Sequence, residues 1–105
     1  MTINIKFTNI QSSPALTQYV EEKLNHIHKF IEKFDLEGAV KAQVELGQVN
    51  KHHHKGQIFR AEVNLVLPRK TLRAEHEGYD LHEAIDLMKD KLEREVVKYK
   101  ETNNV

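Results

Sequence analysis

Cysteine is absent from this 105-residue chain, which removes disulfides, thiolate nucleophiles and cysteine-based zinc sites together and suits a reducing compartment. Neither sign of charge is in excess: sixteen Lys and Arg face sixteen Asp and Glu, for a formal charge of zero. A polybasic nucleic-acid arm or an acidic tail acting through bulk charge is thereby excluded, and any anion site has to come from charge placement. No apolar run approaches the roughly 20 residues that span a bilayer, and Met1 to Gln11 holds no apolar core behind a basic flank, as a signal peptide would. Internal repeats, linkers and low-complexity tracts are missing too, apart from His52-His53-His54. These absences describe a soluble chain expected in the cytoplasm. With 39% apolar residues it can build one small core, so a single domain over residues 1–100 is expected, with a short disordered tail at 101–105.

What is present is periodicity. Ile3, Ile5 and Phe7 alternate with Asn4 and Lys6, the period-two pattern of a half-buried strand. Ser13-Pro14 marks a helix start, with a hydroxyl cap before a proline at the first helical position. Leu16, Val20, Leu24, Ile27, Ile31 and Phe34 then recur at helical steps as one apolar stripe, ended by Asp35 to Gly38. Val40 to Leu46 and Phe59 to Leu67 alternate as a second and a third strand around a polar loop, Asn50 to Gly56. Pro68-Arg69-Lys70 is a turn, and Leu72, Ala74 and His76 give the buried side of a short fourth strand that Gly78 breaks. Asp80-x-x-Glu83 resembles a capping box. Leu81, Ile85, Met88, Leu92, Val96 and Tyr99 follow as a second helical stripe.

The order β-α-β-β-β-α constrains the architecture. A strand-helix-strand crossover makes the first two strands parallel, and short connections make the rest antiparallel. One apolar face per strand means that one side of the sheet is covered and the other is wet. The expected fold is an α+β two-layer sandwich, a four-stranded mixed sheet with two parallel helices on one face.

Charge can be sorted on such a frame even when it sums to zero. Projected at about 100° per residue, His26, Lys29 and Lys33 fall on one flank of the first stripe, with Lys23 at its border and Glu21 and Glu32 opposite. On the second helix Lys91, Arg94 and Lys98 share a flank away from Asp86 and Glu93. With Arg69, Lys70 and Arg73 near the third turn, three basic segments are placed to touch a phosphate backbone at separated points. Dipole preference accounts for part of this pattern, since acids early and bases late in a helix are favoured in any case. The exposed sheet face is expected to carry Asn4, Lys6, Lys41, Gln43, Glu45, Arg60, Glu62, Asn64, Arg73 and Glu75, with no aromatic for base stacking. Nucleic-acid contact should then run through helices and loops.

Gly78-Tyr79-Asp80-Leu81-His82-Glu83-Ala84-Ile85-Asp86, followed by Asp90-Lys91-Leu92-Glu93-Arg94-Glu95 and Lys98-Tyr99-Lys100, resembles the ribosome hibernation promoting factor family. That family includes the ribosome-associated translation inhibitors once called sigma-54 modulation proteins. Ala61-Glu62-Val63, Leu72-Arg73-Ala74-Glu75 and the helix from Ala15-Leu16 to Val20, Lys23 and Leu24 extend the resemblance over nearly the whole chain. It implies the same β-α-β-β-β-α fold and a ribosome-binding domain. It further implies binding between head and body of the small ribosomal subunit, against rRNA, where mRNA and the A- and P-site tRNAs lie, and inhibition of translation by steric occupancy in stationary phase or stress. The family's basic positions match Lys23, His26, Lys33, Lys91, Arg94 and Lys98. Three features depart from the family pattern: His82 in place of a usual Tyr, His26 in place of a frequent Lys, and Pro68-Arg69-Lys70 in place of a Gly-containing turn. Ending at Val105, the chain looks like the short type, which would need a separate ribosome-dimerising factor to join two ribosomes.

No constellation points to catalysis. Lys51-His52-His53-His54-Lys55 invites a metal reading, but three adjacent imidazoles do not converge easily on one tetrahedral ion. The tract reads better as a polar loop that gains charge as pH falls toward about 6.5, with contact to rRNA as its functional version. His76 is expected as a hydrogen-bonded core histidine, and Glu83 and Asp86 beside His82 are explained by capping and dipole effects. No Gly-rich phosphate loop, nucleophile elbow or HExxH occurs. The expectation is a non-enzyme without cofactor, metal, membrane partner or small-molecule substrate. Its rRNA-binding residues are expected to be Lys23, His26, Lys29, Lys33, Arg69, Lys70, Arg73, Lys91, Arg94 and Lys98. Two alternatives are a non-catalytic protein-interaction domain acting through a sheet edge and a general structured-RNA-binding module.

Overall fold

In the computed structural model, residues 1–49 and 56–103 are described. The His52–His54 tract with its flanking lysines lies outside the described residues, as do Asn104 and Val105. Strand β1 (Thr2–Thr8) leads into helix α1 (Pro14–His28), and two 3-10 turns, Glu32–Phe34 and Leu36–Gly38, carry the chain to β2 (Lys41–Val49). Strands β3 (Ile58–Leu67) and β4 (Lys70–Gly78) and helix α2 (Leu81–Thr102) complete the order β-α-β-β-β-α.

The sheet is four-stranded and mixed, in the order β1-β2-β3-β4. The α1 crossover returns the chain to its starting end, so β1 and β2 pair in parallel, from Thr2 opposite Lys41 to Thr8 opposite Gly47. The two later pairs are antiparallel. This topology makes both helices run the same way across one face, and their contacts agree: Tyr19 meets His82 and Asp86, while Phe34 further on meets Tyr99.

Alternation supplies the core. Ala42, Val44 and Leu46 of β2 and Ala61, Val63, Leu65 and Leu67 of β3 point at Val20, Leu24 and Ile27 of α1 and at Ile85, Met88, Leu92 and Val96 of α2. Burying each such Val, Leu or Ile contributes about 1.5–3 kcal/mol. Ser13 caps α1 by accepting from the Leu16 N–H, with Pro14 behind it. Asp80 caps α2 by accepting from the His82 and Glu83 N–H groups. Gly47 lets the parallel pair close, because a Cβ there would stand 2.7 Å from the Thr8 carbonyl oxygen.

Four expectations are corrected. The first apolar stripe is right as burial and wrong as helix: α1 stops at His28, while Ile31 stays buried and Phe34 half-buried on non-α backbone. The chain has to descend to the sheet before Lys41 can sit opposite Thr2. Asp35 pins that descent, taking the Met1 α-ammonium at 2.6 Å, His28 Nε2 at 2.6 Å and the Val40 N–H at 2.8 Å. Lys29 is therefore the cap residue after α1, and Lys33 lies in a 3-10 turn. Second, Glu101 and Thr102, expected in a disordered tail, form the end of α2, closed where the Asn103 N–H and side-chain amide both donate to the Tyr99 carbonyl. Third, β4 is not short: it takes in Lys70, expected in the turn, and runs nine residues to Gly78, where the break was expected. Fourth, His76 is only half-buried, its Nδ1 3.1 Å from Lys91 Nζ.

Candidate nucleic-acid interface

Helical spacing puts Tyr19, Lys23, His26 and, just past the helix end, Phe30 along the side of α1 that faces α2. The opposing side of α2 carries His82, Asp86, Lys89, Glu93 and Lys100. At one end of this groove Asp86 Oδ1 accepts from the Tyr19 hydroxyl at 2.6 Å and from Lys23 Nζ at 3.1 Å. The bond to Asp86 raises both the Tyr19 phenol and the Lys23 ammonium above their ordinary pKa values. Partial burial pushes the Asp86 carboxyl up, but the donors Tyr19 and Lys23 outweigh it and hold the group below its usual value. Lys89 is likewise engaged, 3.3 Å from Glu93. The groove floor is therefore a mixed-charge seam, with cations matched to carboxylates from the facing or the same helix.

Lys91, Arg94 and Lys98 take the other side of α2, above β4. Lys91 is folded down onto that strand, donating to the Glu75 carbonyl at 3.0 Å and lying against His76. Since an ammonium only donates, His76 Nδ1 accepts there, which selects the Nε2–H tautomer. Arg94 is exposed and has no charged partner among the described residues. Lys98 is exposed too, with Glu95 one turn away at 3.6 Å.

The hairpin tip completes this side. The Tyr99 hydroxyl donates to the Pro68 carbonyl at 3.0 Å, which seats the β3–β4 turn against the last turns of α2. Pro68 fixes its own φ, and Arg69 adopts φ 67°, the pattern of a type II turn. An L-residue takes that left-handed backbone at a cost of roughly 1–2 kcal/mol. Arg69 and Lys70 are exposed and unpartnered among the described residues. Across the groove Phe34 packs edge-on against Tyr99 and Lys100 Nζ lies 5.6 Å from the Phe30 ring centre, so the end of α1 arrives at the same place. Lys29, Lys33, Arg69, Lys70, Lys98 and Lys100 thus surround the shared C-terminal end of the helices, where they outnumber Glu32, Glu37, Glu95 and Glu101.

Arg73 does not join them. It sits on the open sheet face, opposite the helices, 3.3 Å from Glu62 and 2.8 Å from Glu75. Arg60 binds the same two carboxylates. Glu45, Glu62 and Glu75 are neighbours across β2, β3 and β4, and like charges so placed repel. The two arginines offset Glu62 and Glu75, and their hydrogen bonds, Arg60 first, hold the Glu75 carboxyl below its ordinary value.

Of the ten residues expected at the interface, the structure leaves His26, Lys29, Arg69, Lys70 and Arg94 without a charged partner among the described residues and Lys98 loosely paired. Lys33 lies 5.4 Å from the Phe34 ring centre. Lys23, Lys91 and Arg73 are committed to other groups. Lys100 and Phe30 were not anticipated. The signal for Lys100 was present, since it falls in register with His82, Asp86 and Glu93 on the groove side.

This geometry has known counterparts. A ribosome hibernation promotion factor of Lactococcus lactis subsp. cremoris is 35% identical over 103 residues, 96% of this chain and 50% of that protein. One from Bacillus subtilis is 32% identical over 100 residues, 95% of this chain and 49% of that protein. The chain therefore spans about half the length of these curated relatives. Among solved structures, the Thermus thermophilus Protein Y N-terminal domain superposes with a TM-score of 0.75 at 30% identity, covering 94% of this chain and 99% of that domain. Residues 3–104 match a family model from the first strand to beyond the end of α2, and the chain belongs to that family, Sigma 54 modulation protein / S30EA ribosomal protein.

Proposed function

We propose that this domain binds the small ribosomal subunit through rRNA and inhibits translation by occupancy, as a ribosome hibernation factor in the cytoplasm during stationary phase or stress. The observation that carries this reading is the gathering of exposed cations, Lys29, Arg69, Lys70, Arg94 and Lys98, with the half-buried Lys100 beside them, around one end and side of a chain whose charges sum to zero. Sorted in this way, the cations meet RNA phosphates without the repulsion that the acidic groups elsewhere would impose, and displaced counterions supply much of the binding free energy. Inhibition then needs no reaction. A folded body seated between head and body of the subunit excludes mRNA and the A- and P-site tRNAs by competing for the same space. The names of the relatives support this reading.

The test reverses three unpartnered cations from three separate elements. The combined Lys29→Glu, Lys70→Glu and Arg94→Glu variant is expected to keep its thermal midpoint and to lose co-sedimentation with small subunits at low salt, its salt slope falling by about three. Arg73→Gln, which removes a cation already matched on the open sheet face, is expected to bind as the parent does. Retained co-sedimentation of the triple variant contradicts the proposal. A salt-independent complex free of RNA would instead favour docking through a sheet edge.

A further inference from the structure

Phe30 is held in place by a backbone bond from its N–H to the Ile27 carbonyl, yet its ring takes no part in the core and is 39% exposed. Lys100 Nζ lies over one face of the ring, 5.6 Å from its centre, and His26 is edge-on at 6.5 Å and 82°, so a base would stack on the face away from Lys100. Lys29 precedes it in the chain, and Val97, 44% exposed, lies one turn before Lys100 on α2. Dipole preference explains basic groups near helix C-termini, but it does not explain a part-exposed aromatic ring set among them. We propose that the Phe30 ring is a stacking platform for one unpaired nucleobase of the RNA that this domain binds, with Lys29 and Lys100 on the adjoining phosphates.

The inference rests on the RNA-binding reading above and adds to it the element that charge alone lacks. Cations fix a backbone in place, while a π-face engages a base that has left its helix. The patch suits this ligand better than an apolar peptide, because a single ring edged by charges offers little continuous apolar area. It also relocates base stacking on this fold: the open sheet face has no aromatic among the described residues, and the helix end exposes Phe30.

Two variants and two binding partners test it. Phe30→Leu keeps an apolar side chain and removes the ring; it is expected to weaken binding to small subunits and to protein-free small-subunit rRNA by about tenfold, with the salt slope and thermal midpoint unchanged. Phe30→Trp is expected to retain affinity. The chain has no other tryptophan, so the emission of that indole reports the site alone and should be quenched by both partners. Parent-like affinity of Phe30→Leu together with unquenched Phe30→Trp removes the platform and leaves ribosome binding standing. Quenching by intact subunits but not by protein-free rRNA assigns the ring to a ribosomal protein and overturns the nucleobase. If the unaltered domain binds neither partner, the RNA reading itself fails and the platform with it.

Discussion

Asp35 carries more of the fold than its neighbours in sequence suggest. Its carboxylate, 4% exposed, joins the start of β1, the end of α1 and the entry to β2. The Met1 ammonium lowers its pKa most, and the Val40 N–H and His28 add to this, so the group sits at about 2 against an ordinary 3.8 despite the opposing effect of burial. A carboxyl depressed in the folded state stabilises above its unfolded value and loses that contribution as pH falls through the folded one. Denaturant melts should therefore show about 2 kcal/mol lost between pH 4 and pH 2. Asp35→Asn should be less stable at pH 6 and should lose less than the parent across that interval, Glu75 and Asp86 supplying the remainder; an unchanged acid limb in the variant would refute the assignment. At this scale the sequence was only partly legible. Ser13 and Asp80 announce themselves as caps because a short polar side chain before an apolar stripe has one evident use. Asp35 reads only as an end to the first stripe, since its donors come from residues 1, 28 and 40. Phe30 stands between Lys29 and Ile31, off the first apolar stripe, so its exposure is legible while its use is not. Arg69 and Arg73 are four residues apart and have opposite fates: strand alternation sends Arg73 to the open face among carboxylates, while the turn leaves Arg69 outside the sheet.

Elements were legible where their periodicity had no competitor. The α2 stripe from Leu81 to Tyr99 lies on continuous helix, and β2 and β3 bury the residues that alternation selects except Phe59, which is half-buried beside a buried Ile58. In α1 the stripe outlasts the helix, because burial needs only an inward direction and a 3-10 turn supplies that for Phe34 as well as an α-turn would. What one-dimensional projection does not give is how the helices face each other. The basic flank of α1 meets the mixed flank of α2, and that pairing is what commits Lys23 to Asp86. Asp86→Asn should free this ammonium while Tyr19 keeps an oxygen to donate to. Because the pair is partly exposed, the stability loss should be small, about 1 kcal/mol or less. Subunit affinity at low salt should rise, with a salt slope steeper by about one. Isotherms that superpose on those of the parent would show that the Tyr19–Asp86 end of the groove does not meet RNA.

The whole molecule measures 48 × 26 × 19 Å and is electrically neutral in sum. Its described surface is nevertheless uneven. On the open sheet face Arg60 and Arg73 are matched to Glu62 and Glu75, Glu21 and Glu22 lie midway along α1, and the start of α2 carries Asp80 and Glu83. The shared helix end and the hairpin tip carry exposed cations. Composition alone hides this arrangement, since it depends on which cations the fold has already matched. The most direct measurement is the affinity for purified small subunits across a salt series, for the parent domain and for the Lys29→Glu, Lys70→Glu and Arg94→Glu variant. The account predicts a linear fall of log K with log salt at a slope steeper than about −3 for the parent, and a slope shallower by about three for the variant at much lower affinity. A shallow slope in the parent, or a steep one preserved in the variant, would contradict it.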